Sequence, residues 1–133
     1  MKKLRFFTHP AFLLHEPGPR HPEHPDRLRA ILAHLEQTDL WPRLIHREPE
    51  PASQATLELV HPPAYIKAIA EACRAGPLPL DPDTLVVPAS WDAALRAVGA
   101  VTEAIDLVVA GKAASAFCAV RPHGHHALAR RAM

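Results

Sequence analysis

The chain has 133 residues, the length of one domain, and 48% of them are hydrophobic, enough for a core that buries roughly two-thirds of the surface of the unfolded chain. Its formal charge is +1, its basic residues are scattered and only 5% of its residues are aromatic, which disfavours a nucleic-acid partner. No stretch is apolar for long enough to span a membrane, and Arg5, His9 and Pro10 interrupt any apolar core of a secretory signal.

Two cysteines, Cys73 and Cys118, lie among apolar residues. These surroundings favour buried thiols over a disulfide and fit a reducing compartment. We therefore expect a cytoplasmic protein.

The first third of the chain predicts a strand, a helix and a weaker strand. The apolar run 4–7 predicts the first strand, and a loop rich in proline and histidine follows from 15 to 25. Asp26 is a candidate N-cap for a helix whose apolar face recurs at helical spacing, at Leu28, Ile31, Leu32 and Leu35. Leu44-Ile45 is a weak candidate for the second strand.

Prolines and glycines divide the next part of the chain into two short helices and a loop. Ser53 can cap a short helix, and Pro62-Pro63 interrupts it and begins a second helix that ends at Gly76. Residues 77–88 contain four prolines and predict an ordered loop. Its length favours a functional loop over a simple connector.

The last part of the chain predicts the longest helix and a final strand. Ser90 can cap a helix from Trp91 to about Ala110, and Ala116–Val120 is an apolar run typical of a buried strand. The residues predicted to face inward from this helix are Ala94, Leu95, Val98, Val101, Ile105 and Val108. Strands alternating with helices predict an α/β fold with a parallel sheet. Three strands alone would leave apolar edges, which natural proteins avoid, so we expect the chain to be the amino-terminal part of a larger domain.

The strongest functional signal is the segment 121–127, which reads Arg-Pro-His-Gly-His-His-Ala. It follows the last predicted strand, and open α/β sheets bind ligands at the carboxyl ends of their strands. Histidine ordinarily titrates near neutrality, which suits proton transfer. The pair His125 and His126 therefore indicates a proton-transfer site, with a polar, solvated loop as the alternative.

Five blocks in this order carry a resemblance to a known family: residues 21–28 (His-Pro-Glu-His-Pro-Asp-Arg-Leu), 60–65 (Val-His-Pro-Pro-Ala-Tyr), 81–84 (Asp-Pro-Asp-Thr), 90–95 (Ser-Trp-Asp-Ala-Ala-Leu) and 121–127. Together they resemble the histone deacetylase superfamily, and most of all its bacterial histone-deacetylase-like proteins, acetylpolyamine amidohydrolases and acetoin-utilisation proteins. The resemblance runs over nearly the whole chain.

The resemblance implies an arginase/deacetylase-like α/β fold, with an open, largely parallel sheet flanked by helices, of which residues 1–133 would be the incomplete amino-terminal part of a single domain. It implies hydrolysis of an acetyl group from a lysine-like or polyamine-like amine. It also implies a zinc ion that activates water and polarises the carbonyl. The zinc ligands belong to a later block, so none is expected in this chain.

The resemblance also assigns roles in the histidine segment. His126 would be the general base that takes a proton from water and later delivers one to the leaving amine, and His125 would act beside it mainly through its charge. Protonation of one imidazole disfavours protonation of a close neighbour. Gly124 would let the backbone approach the pocket closely. His123 stands where the family usually has a second proline.

Two further residues match functional positions of the family. Arg27 would line an internal channel through which acetate leaves, and a solvated residue in the first helical turn is the alternative. Asp83 would hold the substrate backbone at the rim, with Asp81 as a competing position. His21 and His24 are expected to be rim or structural residues.

Two other functions remain open at this point. One is a truncated, non-catalytic homologue that binds an acetylated ligand or a protein partner, and exposed sheet edges would favour self-association. The other is a metal site assembled from five histidines of the chain, which are His21, His24, His123, His125 and His126.

Overall fold

The computed structural model describes residues 4–133. Its strands are β1 (Arg5–Phe7), β2 (Ile45–Arg47), β3 (Leu78–Asp81), β4 (Thr84–Val86) and β5 (Ala116–Cys118). Its α-helices are α1 (Asp26–Glu36), α2 (Gln54–Glu58), α3 (Pro63–Ala75) and α4 (Pro88–Val109), and short 3-10 helices cover Pro10–Leu13 and Trp41–Arg43. None of the helices in these residues is long and apolar enough to cross a membrane.

The main sheet has three parallel strands in the order β2-β1-β5, with Phe6 opposite both His46 and Phe117. Helix α1 connects β1 to β2, and α4 precedes β5. The predicted parallel α/β arrangement is therefore confirmed. Because the strands are parallel, the loops after β1 and β5 leave the same edge of the sheet, which brings the segments 8–25 and 119–127 together.

The core is built around three phenylalanines that are almost fully buried, Phe6, Phe7 and Phe12. Phe6 and Phe12 share a cluster with Leu28 and the small side chains of α4, while Phe7 packs against Ala100 and Ala104. The small side chains let α4 lie close to the sheet.

The predicted inward face of α4 is wrong. The buried stripe consists of Ala93, Ala97, Ala100 and Ala104, whereas Val101 and Ile105 are 44% and 55% exposed. The helix is apolar almost all round, so hydrophobic periodicity alone does not select one face. Close packing against the sheet selects the alanine stripe instead.

The predicted loop at 77–88 is also wrong, because β3 and β4 form an antiparallel hairpin there. The side chain of Asp81 closes its turn by accepting hydrogen bonds from the Asp83 N–H (2.7 Å) and the Thr84 hydroxyl (3.0 Å). A two-stranded hairpin has only edge strands, and these tolerate a proline such as Pro79, which cannot donate a ladder hydrogen bond.

Helix boundaries follow the predicted signals in some places and depart from them in others. Ser53 caps α2 by accepting from the Thr56 N–H (3.2 Å), and α3 starts at Pro63 and is followed by Gly76, as predicted. Asp26 is the first residue of α1 and not its N-cap. Helix α4 starts two residues before Ser90, whose Oγ accepts from the Val87 N–H (2.9 Å).

Candidate active-site loop

A tight turn after β5 presents the two adjacent histidines. The Gly124 carbonyl accepts a hydrogen bond from the Ala127 N–H (2.9 Å), which leaves His125 and His126 as the two central residues of the turn. Their ring centroids are 4.0 Å apart. The predicted location after the last strand and the proximity of the two rings are both observed, while their catalytic roles remain a prediction.

Gly124 has φ +67°, and no atom of the described residues lies within 4 Å of a Cβ built on it. The close approach of this backbone to the pocket stays a prediction. The turn requires its left-handed backbone conformation, which a residue with a side chain adopts only at a cost.

His123 adds a third imidazole to the turn, with its ring centroid 4.3 Å from that of His125 and 6.1 Å from that of His126. Partial burial, and to a smaller extent the charge of His125, lowers the pKa of His123, while Glu23 opposes this shift. The lowered pKa favours the neutral form of His123.

The side chains of His125 and His126 are exposed within the described residues. A cavity of about 380 Å³ lies elsewhere, after the carboxyl ends of β1 and β2, where His9, Trp41 and Glu48 are among its lining residues. Residues 4–133 alone thus do not enclose the histidine pair in a cleft.

Sequence reasoning missed Arg121, a buried side chain that comes three residues before the turn. Its side chain is only 3% exposed and pairs through two bonds with the Glu23 carboxylate (2.7 and 2.8 Å). It also donates to the backbone carbonyls of Phe12 (2.6 Å), His15 (2.7 Å) and Glu23 (2.8 Å). The available signal was that Arg121 and Glu23 both lie within blocks of the family resemblance.

The two other predicted site residues lie near the same edge. Asp83 is in the β3–β4 turn, where its backbone carbonyl is 2.8 Å from Nε2 of His21. Arg27 is exposed in the first turn of α1, and its positive charge helps to lower the pKa of His123. Asp83 thus contacts His21 through its backbone, and Arg27 acts on His123 through its charge.

The geometry does not support a metal site made by these residues alone. Among residues 4–133, no three histidine, cysteine, aspartate or glutamate side chains are arranged to hold a metal ion. Of the five candidate histidines, His24 lies instead beside carboxylates, with Nδ1 3.2 Å from Asp26 and Nε2 3.8 Å from Glu16. The zinc ligands implied by the resemblance are not found here either.

Comparison with known proteins gives a consistent result. The sequence profile described as Histone deacetylase domain matches residues 21–133. A histone deacetylase-like amidohydrolase of Pseudomonas aeruginosa is 35% identical over 113 residues, which cover 85% of this chain and 30% of that protein. Polyamine deacetylase HDAC10 of Homo sapiens is 33% identical over 110 residues, covering 78% of this chain and 16% of that protein.

The fold is matched as well. The crystal structure of the HDA15 HD domain superimposes with a TM-score of 0.91 and 30% sequence identity, over 97% of this chain and 39% of that one. The chain thus spans less than half the length of each of these relatives. The expected arginase/deacetylase-like α/β fold is confirmed.

Proposed function

The chain belongs to the histone deacetylase domain family, and from this membership we propose that the protein containing it is a zinc-dependent amide hydrolase. It removes acetyl groups from acetyl-lysine or acetylpolyamine-like substrates. The observation that carries the proposal is the placement of two adjacent imidazoles, 4.0 Å apart, at the corners of a turn that leaves the carboxyl end of β5.

The reaction needs proton transfers that this pair can perform. As the oxygen of water attacks the acetyl carbonyl carbon, His126 accepts a proton from that water. It then delivers a proton to the amine nitrogen as the carbon–nitrogen bond breaks, which yields acetate and the free amine. A positioned general acid–base contributes roughly 10²–10⁴-fold to such a reaction.

His125 acts on the charge that develops at its neighbour. When His126 takes up a proton, the charge state of an imidazole 4.0 Å away changes the free energy of that step, because like charges repel.

The metal in this proposal belongs to polypeptide other than residues 4–133, which do not fit a zinc site by themselves. Zinc would supply Lewis-acid chemistry when bound. The steps assigned to the present chain are proton transfer by His126, electrostatic assistance by His125 and substrate contact by Asp83.

The names of the relatives suggest two substrate classes. One relative is named an amidohydrolase and another a polyamine deacetylase, so both a protein lysine and a polyamine are candidate acetyl carriers. Substrates of both classes should be assayed in parallel.

The test is acetate release by the natural full-length protein, with zinc added and with zinc chelated, from an acetyl-lysine peptide and from an acetylated polyamine. We expect release from at least one substrate, its loss on chelation, and at least a hundredfold loss in His126→Ala, in line with general-base catalysis. His34→Ala, an exposed histidine on α1, is the matched control and should keep full activity. Residues 1–133 alone should release no acetate. Full activity of His126→Ala would contradict the proposal.

A non-catalytic binding protein is the second candidate, and the exposure of the histidine pair in residues 4–133 favours it. It predicts that the full-length protein binds the acetylated peptide in calorimetry and releases no acetate at any zinc concentration.

A further inference from the structure

A buried polar network runs from the start of α4 to the histidine turn, through Ser90, His15, Glu23 and Arg121. We propose that Arg121 is the positioning residue of the His125–His126 turn and that it acts through its buried ion pair with Glu23. The functional part of this inference rests on the proposed deacetylase activity, and its structural part does not.

Every N–H group of the Arg121 guanidinium has a hydrogen-bond acceptor. The guanidinium has five N–H groups, and the structure gives it five acceptors, which are the two carboxylate oxygens of Glu23 and the backbone carbonyls of Phe12, His15 and Glu23. A lysine has three donors on a flexible stem and cannot reproduce this planar arrangement. The hydrogen bonds of the planar guanidinium therefore fix the orientation of the Arg121 side chain as well as the position of its charge.

This fixed side chain lies directly before the turn. Only residues 122–124 separate Arg121 from His125. On the other side, the carbonyl of Ala129 is 2.9 Å from Nδ1 of His61. The backbone that carries the two imidazoles is thus held from both ends.

The imidazoles themselves have no comparable restraint. Both are exposed, and neither forms a hydrogen bond to another residue in the part of the chain that the structure describes. Their positions within these residues depend on the backbone of the turn, and Arg121 is the most extensively bonded side chain beside it. Displacement of Arg121 should therefore displace both rings.

The partner of Arg121 is itself oriented. Oε2 of Glu23 lies 3.6 Å from Nε2 of His15, whose Nδ1 is 2.7 Å from the Ser90 hydroxyl. Ser90 Oγ already accepts from the Val87 N–H, so its own O–H can donate to Nδ1 of His15. The remaining N–H of the neutral ring is then on Nε2, 3.6 Å from the Glu23 oxygen that accepts from Arg121.

The stability of the fold does not require this arrangement. Burying an ion pair costs desolvation free energy, and well-packed apolar side chains are often as stabilising. What the bidentate pair adds is a defined geometry. In an acid–base site a defined geometry matters, because a displacement of about 1 Å can reduce the rate roughly a hundredfold.

The experiment compares Arg121→Lys and Glu23→Gln with the wild-type full-length protein in two measurements. The first is steady-state kinetics. We expect Arg121→Lys to lower kcat roughly ten- to a hundredfold with less than about a threefold change in KM, because the ground-state contacts to substrate are made elsewhere. Glu23→Gln keeps one acceptor oxygen and should lie between Arg121→Lys and the wild type.

The second measurement is the NMR chemical shifts of the ring protons of His125 and His126. We expect them to move in both variants at constant pH. Arg96→Lys is the matched control, because Arg96 also pairs with a carboxylate, its Nε–H being shared between the two oxygens of Asp92, and donates from Nη1 to the Pro49 carbonyl. It should change neither kcat nor these ring shifts.

The outcomes separate the two hypotheses. If the wild-type protein releases no acetate, the proposed function fails, and the ring shifts alone decide the positioning role. If Arg121→Lys is folded, with ring shifts and kcat like those of the wild type, the positioning role is overturned. If Arg121→Lys does not fold, Glu23→Gln decides by the same measurements.

Discussion

The backbone carbonyl of Asp83 lies 2.8 Å from Nε2 of His21, which joins the β3–β4 turn to the loop before α1. The carboxylate of Asp81 is occupied in closing that turn. The carboxylate of Asp83 accepts no hydrogen bond from another residue between 4 and 133. Of the two aspartates that the sequence offered as substrate contacts, Asp83 therefore has the free carboxylate.

We predict that Asp83→Asn raises KM for an acetyl-lysine peptide roughly tenfold and leaves kcat nearly unchanged. Loss of a hydrogen bond to a charged group costs about 1.5–3 kcal/mol, and 1.4 kcal/mol corresponds to a factor of ten. Asp81→Asn should instead lower the melting temperature, because its side chain holds the hairpin turn. Steady-state kinetics and thermal unfolding check both results, and the reverse pattern would assign the substrate contact to Asp81.

The two neighbouring imidazoles should differ in their contribution to the rate. His126→Asn removes the proposed general base, so kcat should fall roughly 10²–10⁴-fold. His125→Asn removes only an electrostatic contribution and should cost less, on the order of tenfold, or about 1.4 kcal/mol. Single-turnover acetate release measures both. A larger loss of rate in His125→Asn than in His126→Asn would make His125 the general base and His126 the electrostatic residue.

The stability of the fold should decrease at acidic pH because of His15. Burial lowers the pKa of this imidazole below its ordinary value of 6.5, and the charge of Arg121 adds to the effect, against Glu23 and Glu16. Between the lowered pKa and 6.5 the unfolded chain binds more protons than the folded one. The stabilisation is therefore complete above pH 6.5 and is lost as the pH falls through the folded-state pKa.

The His15→Gln variant lacks this titrating group, so its free energy of unfolding should depend less on pH. The slope should fall by at most about 1.4 kcal/mol per pH unit, which corresponds to one proton. Urea unfolding at pH 7.5 and 5.5 measures it, on the full-length protein. The exposed His34→Gln is the control and should keep the wild-type difference between the two pH values. An unchanged slope in His15→Gln would show that other groups cause the dependence.

Gly99→Ala should destabilise the protein. A Cβ at position 99 would overlap the backbone carbonyl oxygen of Glu50, so α4 would have to move away from the segment after β2. We expect a loss of about 1–3 kcal/mol, as for other overpacked sites. Helix propensity alone predicts the opposite, a gain of about 1 kcal/mol, so the sign of the change in unfolding free energy decides between them.

Local sequence patterns correctly predicted those helices and strands whose formation depends on a few neighbouring residues. Ser53 and Pro63 begin helices because capping and the fixed φ of proline act over a few residues. The apolar runs before Thr8 and at 116–118 form strands, and His125 and His126 lie in the loop after the second of them. These features predicted that His125 and His126 follow a strand at the edge of a parallel sheet, where the structure has them.

Tertiary structure decided what depends on contacts between distant segments. The buried face of α4 is set by how closely the helix can approach the sheet, which selects Ala97 and Ala100 over the larger Val101. The buried ion pair before the histidine turn joins Arg121 to Glu23 across 98 residues of chain, and no local period or spacing encodes such a pair. Sequence alone therefore determined which side chains stand at this edge of the sheet, while three-dimensional packing determined which distant residues contact them.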